Sequence, residues 1–66
     1  MQIDRVKLIA EMARQEIKVY ELAEKAGVSC LTIINMRKGR PCTKNSLKHV
    51  ARALGVDPLE IMEQEE

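Results

Sequence analysis

From Lys25 to Val56 the chain carries seven basic side chains, Lys25, Arg37, Lys38, Arg40, Lys44, Lys48 and Arg52, and no acidic one. A solvated face ordinarily mixes both signs, so a long acid-free stretch points to an anionic partner. Within it, Asn35 offers an amide that can donate and accept at once, and Ser29, Cys30, Leu31 and Thr32 lie just ahead of it. The chemistry these types support is non-covalent: cations hold a polyanion. Catalysis finds no such support. His49 is the only histidine and the carboxylates are scattered, so no nucleophile, base and orienting residue can be assembled. Cys30 and Cys42 are expected to be reduced thiols, not a bridge, and with His49 they supply three of the four ligands a structural zinc needs. Neither metal nor cofactor is expected.

The remaining charge is segregated. Residues 1–24 balance four bases against five acids, and Asp57 to Glu66 holds five acids and no base, leaving a net charge of +1. The acidic tail, residues 63–66, is expected to mask the basic stretch or to solubilise the chain. With 45% apolar and 32% charged residues the chain reads as one globular domain over residues 1–66. A domain this small buries only about 60% of its unfolded surface, which argues against a large catalytic cleft. No apolar run approaches the ~18 residues that cross a bilayer, and residues 1–5 do not begin a secretory signal, so a cytoplasmic setting is expected.

Positioning these residues is the work of helices, and periodicity marks five of them with no strand. The first is expected from about Asp4, its N-cap, to Glu16, burying Val6, Ile9, Met12 and Ala13, with Ile17 turning back to the core. The second spans about Lys18 to Ala26 on Leu22, Ala23 and Ala26, and Gly27 ends it. Ser29 caps the third, which reaches Lys38 with Ile33 and Met36 inward; Gly39 closes it, and Arg40-Pro41-Cys42 forms a basic loop. The fourth starts at Thr43, buries Leu47, Val50, Ala51 and Leu54, and stops at Gly55. Asp57-Pro58-Leu59-Glu60 then combines N-cap, first-position proline and third-position glutamate, a start signal for a fifth helix that folds Leu59 and Met62 onto the core. The fold class is therefore all-α.

Residues 19–36 have the layout of a helix-turn-helix. Ala23 is small enough for a close crossing, Gly27 permits the sharp turn, and Val28, Ile33 and Met36 hold the second helix against the first. On these positions, and on Leu22-Ala23-Glu24-Lys25-Ala26-Gly27-Val28-Ser29, the chain resembles the Cro and phage-repressor family of helix-turn-helix proteins. The likeness extends through Arg37-Lys38-Gly39-Arg40 and Val50-Ala51-Arg52-Ala53-Leu54-Gly55-Val56.

The resemblance implies a compact five-helix lambda-repressor-like domain that binds double-stranded DNA as a transcriptional regulator, a repressor. The helix starting at Ser29 would enter the major groove, bringing Ser29, Cys30, Leu31, Thr32 and Asn35 near bases or phosphates. Lys18 and Val19 would lie over the DNA backbone, while Arg40, Lys44 and Asn45 grip phosphates and Arg37 and Lys38 add attraction. Asn35 can pair with adenine, and Leu31 or the Thr32 methyl can pack on a thymine methyl, which together predict an A·T preference.

The sequence departs from the family in opening the second helix with Lys18 and Val19 where threonine and glutamine are common. Because one module reads few bases, a homodimer on two-fold sites is expected, through the fifth helix and the tail. A protein-interaction module using Leu31, Ile34, Val19 and Tyr20 is the rival reading. No small-molecule effector site is legible.

Overall fold

The computed structural model describes residues 3–62. Helix α1 spans Arg5–Arg14, α2 Val19–Ala26, α3 Cys30–Arg37 and α4 Lys44–Leu54, followed by a single 3-10 turn at Pro58–Glu60. Four helices and no strand make up the described chain, an all-α domain with one helix fewer than the sequence pattern implies.

Local chemistry places the helix starts. Asp4 accepts from the backbone N–H groups of Val6 and Lys7 at 3.0 and 3.2 Å, Ser29 from Thr32 at 3.2 Å and Thr43 from Ser46 at 3.1 Å. Each satisfies a donor that the first helical turn leaves unpaired. Helix α2 is the exception: Lys18 is its N-cap and contributes no side-chain cap, so only the Glu21 carboxylate acts there, accepting from the Lys18 N–H at 3.0 Å. An ammonium at this position adds charge of the wrong sign for the helix dipole. Lys18→Ser is accordingly expected to stabilise the domain by about 1 kcal/mol, which for a chain this short is a rise of roughly 4–8 °C in Tm, read by thermal unfolding.

The core is drawn from all four helices and the segments flanking them: Ile3 before α1, Leu8 and Met12 on α1, Leu22, Ala23 and Ala26 on α2, Ile33 and Met36 on α3, five residues of α4 and finally Ile61. Fully burying side chains of this size contributes about 1.5–3 kcal/mol each. The inward faces of α2, α3 and α4 agree with the periodicity of the sequence. The inward face of α1 does not, because Val6 is 67% exposed and Ile9 and Ala13 also lie outside, while Leu8 and Met12 are buried. Two apolar stripes compete on this helix, Val6-Ile9-Ala13 and Leu8-Met12. The choice is made outside it, where the Asp4 N–H donates to the Ile61 carbonyl at 2.8 Å and Ile3 bridges antiparallel to Met62. Anchored so, the helix turns its two longest apolar side chains inward.

Helix α1 also ends earlier than Glu16. Glu16 takes a left-handed φ of 53°, its N–H donating to Ala13 and that of Ile17 to Met12, while the Gln15 side-chain amide donates to the Leu54 carbonyl at 2.6 Å. Ile17 is thereby returned to the core, half-buried.

The expected fifth helix is likewise corrected. Its start signals are satisfied, with Asp57 accepting from the Leu59 N–H at 2.9 Å and Glu60 accepting from the Asp57 N–H at 3.2 Å, but the helix stops after one turn. Leu59 is 58% exposed; Ile61 fills the core in its place, with Met62 half-buried against it. Continuing the helix would withdraw both the Ile61 side chain and the carbonyl that binds Asp4. The acidic tail, residues 63–66, lies outside the described residues.

Candidate nucleic-acid interface

The turn between α2 and α3 is built around one backbone conformation. Gly27 adopts φ 73°, and the Val28 N–H closes the helix end on the Ala23 carbonyl at 3.0 Å. A Cβ at Gly27 would meet nothing within 4 Å, so the glycine serves its left-handed dihedral and not a close approach. Val28, half-buried, then leads into Ser29, whose extended backbone starts α3 in a new direction. Ile33 and Met36 pin that helix to the core.

With Ile33 and Met36 inward, the helical repeat carries Leu31, Ile34, Asn35 and Lys38, spaced i, i+3, i+4 and i+7, to the outward side. Leu31 is 63% exposed and Ile34 38% exposed. Cys30 is exposed at the first turn. The hydroxyls of Ser29 and Thr32 lie 2.9 Å apart and share a single hydrogen bond, which uses one of their two O–H donors, while the Ser29 oxygen caps the helix. The Asn35 side chain makes no hydrogen bond among the described residues, while its main-chain carbonyl accepts from Lys38 and Arg40, each at 3.1 Å. That second bond ties the basic loop to the last turn of α3.

Arg37, Lys38, Arg40 and Lys44 are all exposed, and none has an acidic partner among the described residues. The ion pair found there joins Arg14 to Glu11 on α1 at 2.7 Å; the guanidinium holds the Glu11 carboxyl below its ordinary range. A groove of about 200 Å³ separates α3 from the start of α4, lined by Thr32, Asn35, Met36, Pro41, Cys42, Thr43 and Ser46. Partial burial there pushes the Cys42 thiol above its usual pKa, which favours its protonated form.

The expected site residues are thus gathered unevenly. Cys30, Leu31, Thr32 and Asn35 share α3 with Arg37, Ser29 caps its start, and Lys38 and Arg40 follow at its end. Val19 is half-buried and packs against the core, leaving exposed Lys18 to represent the start of α2. Asn45 is exposed but lines a different basin, of about 450 Å³, with Lys48, His49, Arg52, Val56 and Pro58; Ser46 is the neighbour that joins the α3 groove. Lys25 sits among Gln15, Glu16, Glu21 and Glu24, apart from the other cations.

One residue was missed by sequence reasoning. The Arg5 side chain lies across Gly39, its Cδ 3.3 Å from where a Cβ would stand, adding a cation beside the basic loop.

An outward helix, positioned by a glycine turn and edged by uncompensated cations, defines a helix-turn-helix DNA-binding protein. The sequence model of the Cro/C1-type HTH DNA-binding domain matches residues 7–66, and the chain belongs to that family. Neither a curated protein nor a solved structure shows a match. No helix among the described residues is long and apolar enough to cross a membrane.

Proposed function

We propose that this chain is a sequence-specific transcriptional regulator, acting as a repressor, that lays α3 in the major groove of double-stranded DNA. The observation that carries this reading is the exposure of Leu31 and Ile34 on one side of α3, with Asn35 half-buried next to them, beside Arg37, Lys38, Arg40 and Lys44, which have no acidic partner among the described residues. Phosphate contacts from the cations hold and orient the domain, and contacts from α3 to base edges select the sequence. Lys18 and Arg5 add backbone contacts on either side.

The test is selection of bound duplexes from a random pool at two salt concentrations. A recurring sequence and an affinity that falls with salt support the proposal; a pool without enrichment, or binding indifferent to salt, overturns it. With ~5 phosphates neutralised, log affinity against log salt has a slope near −4.5. An apolar protein-interaction surface would hold or tighten as salt rises. That rival has only part of Val19 to use, because the side chain is half-buried against the core while Tyr20, Leu31 and Ile34 are exposed.

Asn35 is assigned to adenine. Asn35→Ala is expected to cost ~1–3 kcal/mol of discrimination at one base pair while leaving the salt slope unchanged, read by titrating single-substitution duplexes. The longest dimension of the domain is 32 Å, whereas two-fold half-sites recur about every 34 Å, so one copy serves one half-site and a homodimer serves two. Sedimentation with and without duplex measures this directly.

A further inference from the structure

We infer that the outward side of α4 is a second anion site, separate from the α3 side, which takes a small molecule bearing two or more phosphate groups. The basin there, of about 450 Å³, is lined by Asn45, Lys48, His49, Arg52, Val56 and Pro58. A volume of that order suits a small ligand, and such sites set a few polar groups against an apolar wall.

Helical geometry assembles the polar side. Asn45, Lys48, His49 and Arg52, spaced i, i+3, i+4 and i+7, lie opposite Leu47, Val50, Ala51 and Leu54, which enter the core. All four are exposed. Lys48 and Arg52 stand one turn apart and repel each other, and Lys44 extends the same i, i+4 row of like charge. None of the three has an acidic partner among the described residues. The acids that follow in sequence are held in the 3-10 turn, Asp57 accepting from the Leu59 N–H at 2.9 Å and Glu60 from the Asp57 N–H at 3.2 Å. An uncompensated row of cations strains the free helix, and a bound polyanion relieves it. The His49 ring and the Asn45 amide add N–H donors for phosphate oxygens, and Val56 and Pro58 supply the apolar wall.

This basin does not continue the side that faces DNA. Asn45 and Ser46 are neighbours that line different spaces, Asn45 the basin and Ser46 the groove beside α3.

The experiment follows backbone amide shifts of the whole 66-residue chain during titration with pyrophosphate, with ADP and with sodium chloride at matched ionic strength, without DNA. The acidic tail is thereby kept as a competitor. Pyrophosphate is expected to give saturable shifts centred on residues 45–58, with a Kd of about 1 mM or tighter. Tighter binding of ADP would make the ligand a nucleotide seated on Val56 and Pro58; equal or weaker binding would make it the free polyphosphate anion. The Lys48→Gln, Arg52→Gln double variant is expected to weaken binding at least about tenfold. Both sites are exposed and glutamine is a good helix former, so its fold should persist, which circular dichroism verifies. Lys7→Gln, Lys25→Gln removes the same charge elsewhere and should leave binding unchanged. Shifts that never saturate, or that chloride reproduces, would mean an adventitious ion only and overturn the inference, as would equal loss in the two double variants or binding that survives the first. In a last arm pyrophosphate is added to the complex with the selected duplex. Persistent shifts at 45–58 keep the sites separate, whereas displacement by duplex gives the basin to the DNA backbone and overturns the inference. Failure to bind any duplex overturns the DNA-binding proposal alone, because the anion titrations contain no DNA.

Discussion

Replacing Arg40 and Lys44 together by glutamate is expected to abolish duplex binding, with an affinity loss of at least about a hundredfold at low salt. The reason is local charge. Both side chains are exposed and lack acidic partners among the described residues, so their cations are available to phosphate. Reversal removes two attractive contacts and sets two carboxylates against phosphates, and like charges brought together at an interface cost several kcal/mol. The residual binding should show a salt slope shallower by about 1.8, two phosphates at ~0.9 each. Stability should be unaffected or slightly raised, because Lys44 opens α4 and a glutamate there suits the helix dipole. Fluorescence anisotropy across a salt series, paired with thermal unfolding, separates these effects. A folded double variant that binds duplex with the original slope would remove Arg40 and Lys44 from the interface.

The second large effect is on stability, and it separates the two sides of α3. Ile33→Ala is expected to cost about 2–5 kcal/mol, because Ile33 is 0% exposed and its truncation leaves a cavity at the junction of α3 with the core. At roughly 0.05–0.15 kcal/mol per residue, a domain of this length holds only about 3–10 kcal/mol in all. The substitution therefore takes much of the stability, or all of it. Ile34→Ala deletes the same atoms one residue further along, from a site already 38% exposed, and should cost well under half as much. Urea unfolding of the two variants is the measurement. Equal losses would mean that α3 does not turn Ile33 inward and Ile34 outward, and the reading of its outward side would fall with that geometry.

Much of the scaffold under this site is encoded locally. Asp4, Ser29 and Thr43 start helices because a short side-chain oxygen satisfies donors two or three residues on, a contact that needs no distant partner. Gly27 and Gly55 end α2 and α4 in left-handed conformations for equally local reasons. The inward faces of α2, α3 and α4 follow from single, unambiguous apolar stripes. Membership of the Cro/C1-type family was legible for the same reason: small residues, a turn glycine and apolar anchors at fixed spacing describe one helix pair.

Long-range contacts decided the rest. Whether α1 buries Val6 and Ile9 or Leu8 and Met12 depends on Ile3, Asp4 and their pairing with Ile61 and Met62, residues almost the whole chain apart. The same pairing shortens the fifth helical segment to one turn, overriding a complete set of local start signals. Arg5 beside Gly39 and Val19 half-buried against the core are also products of packing. Caps, turns and periodic stripes act over a few residues and can be read from the amino-acid order. The rotation of a helix with two apolar stripes, and the company an exposed charge keeps, are set by which distant segments share the core, and only the folded chain specifies that.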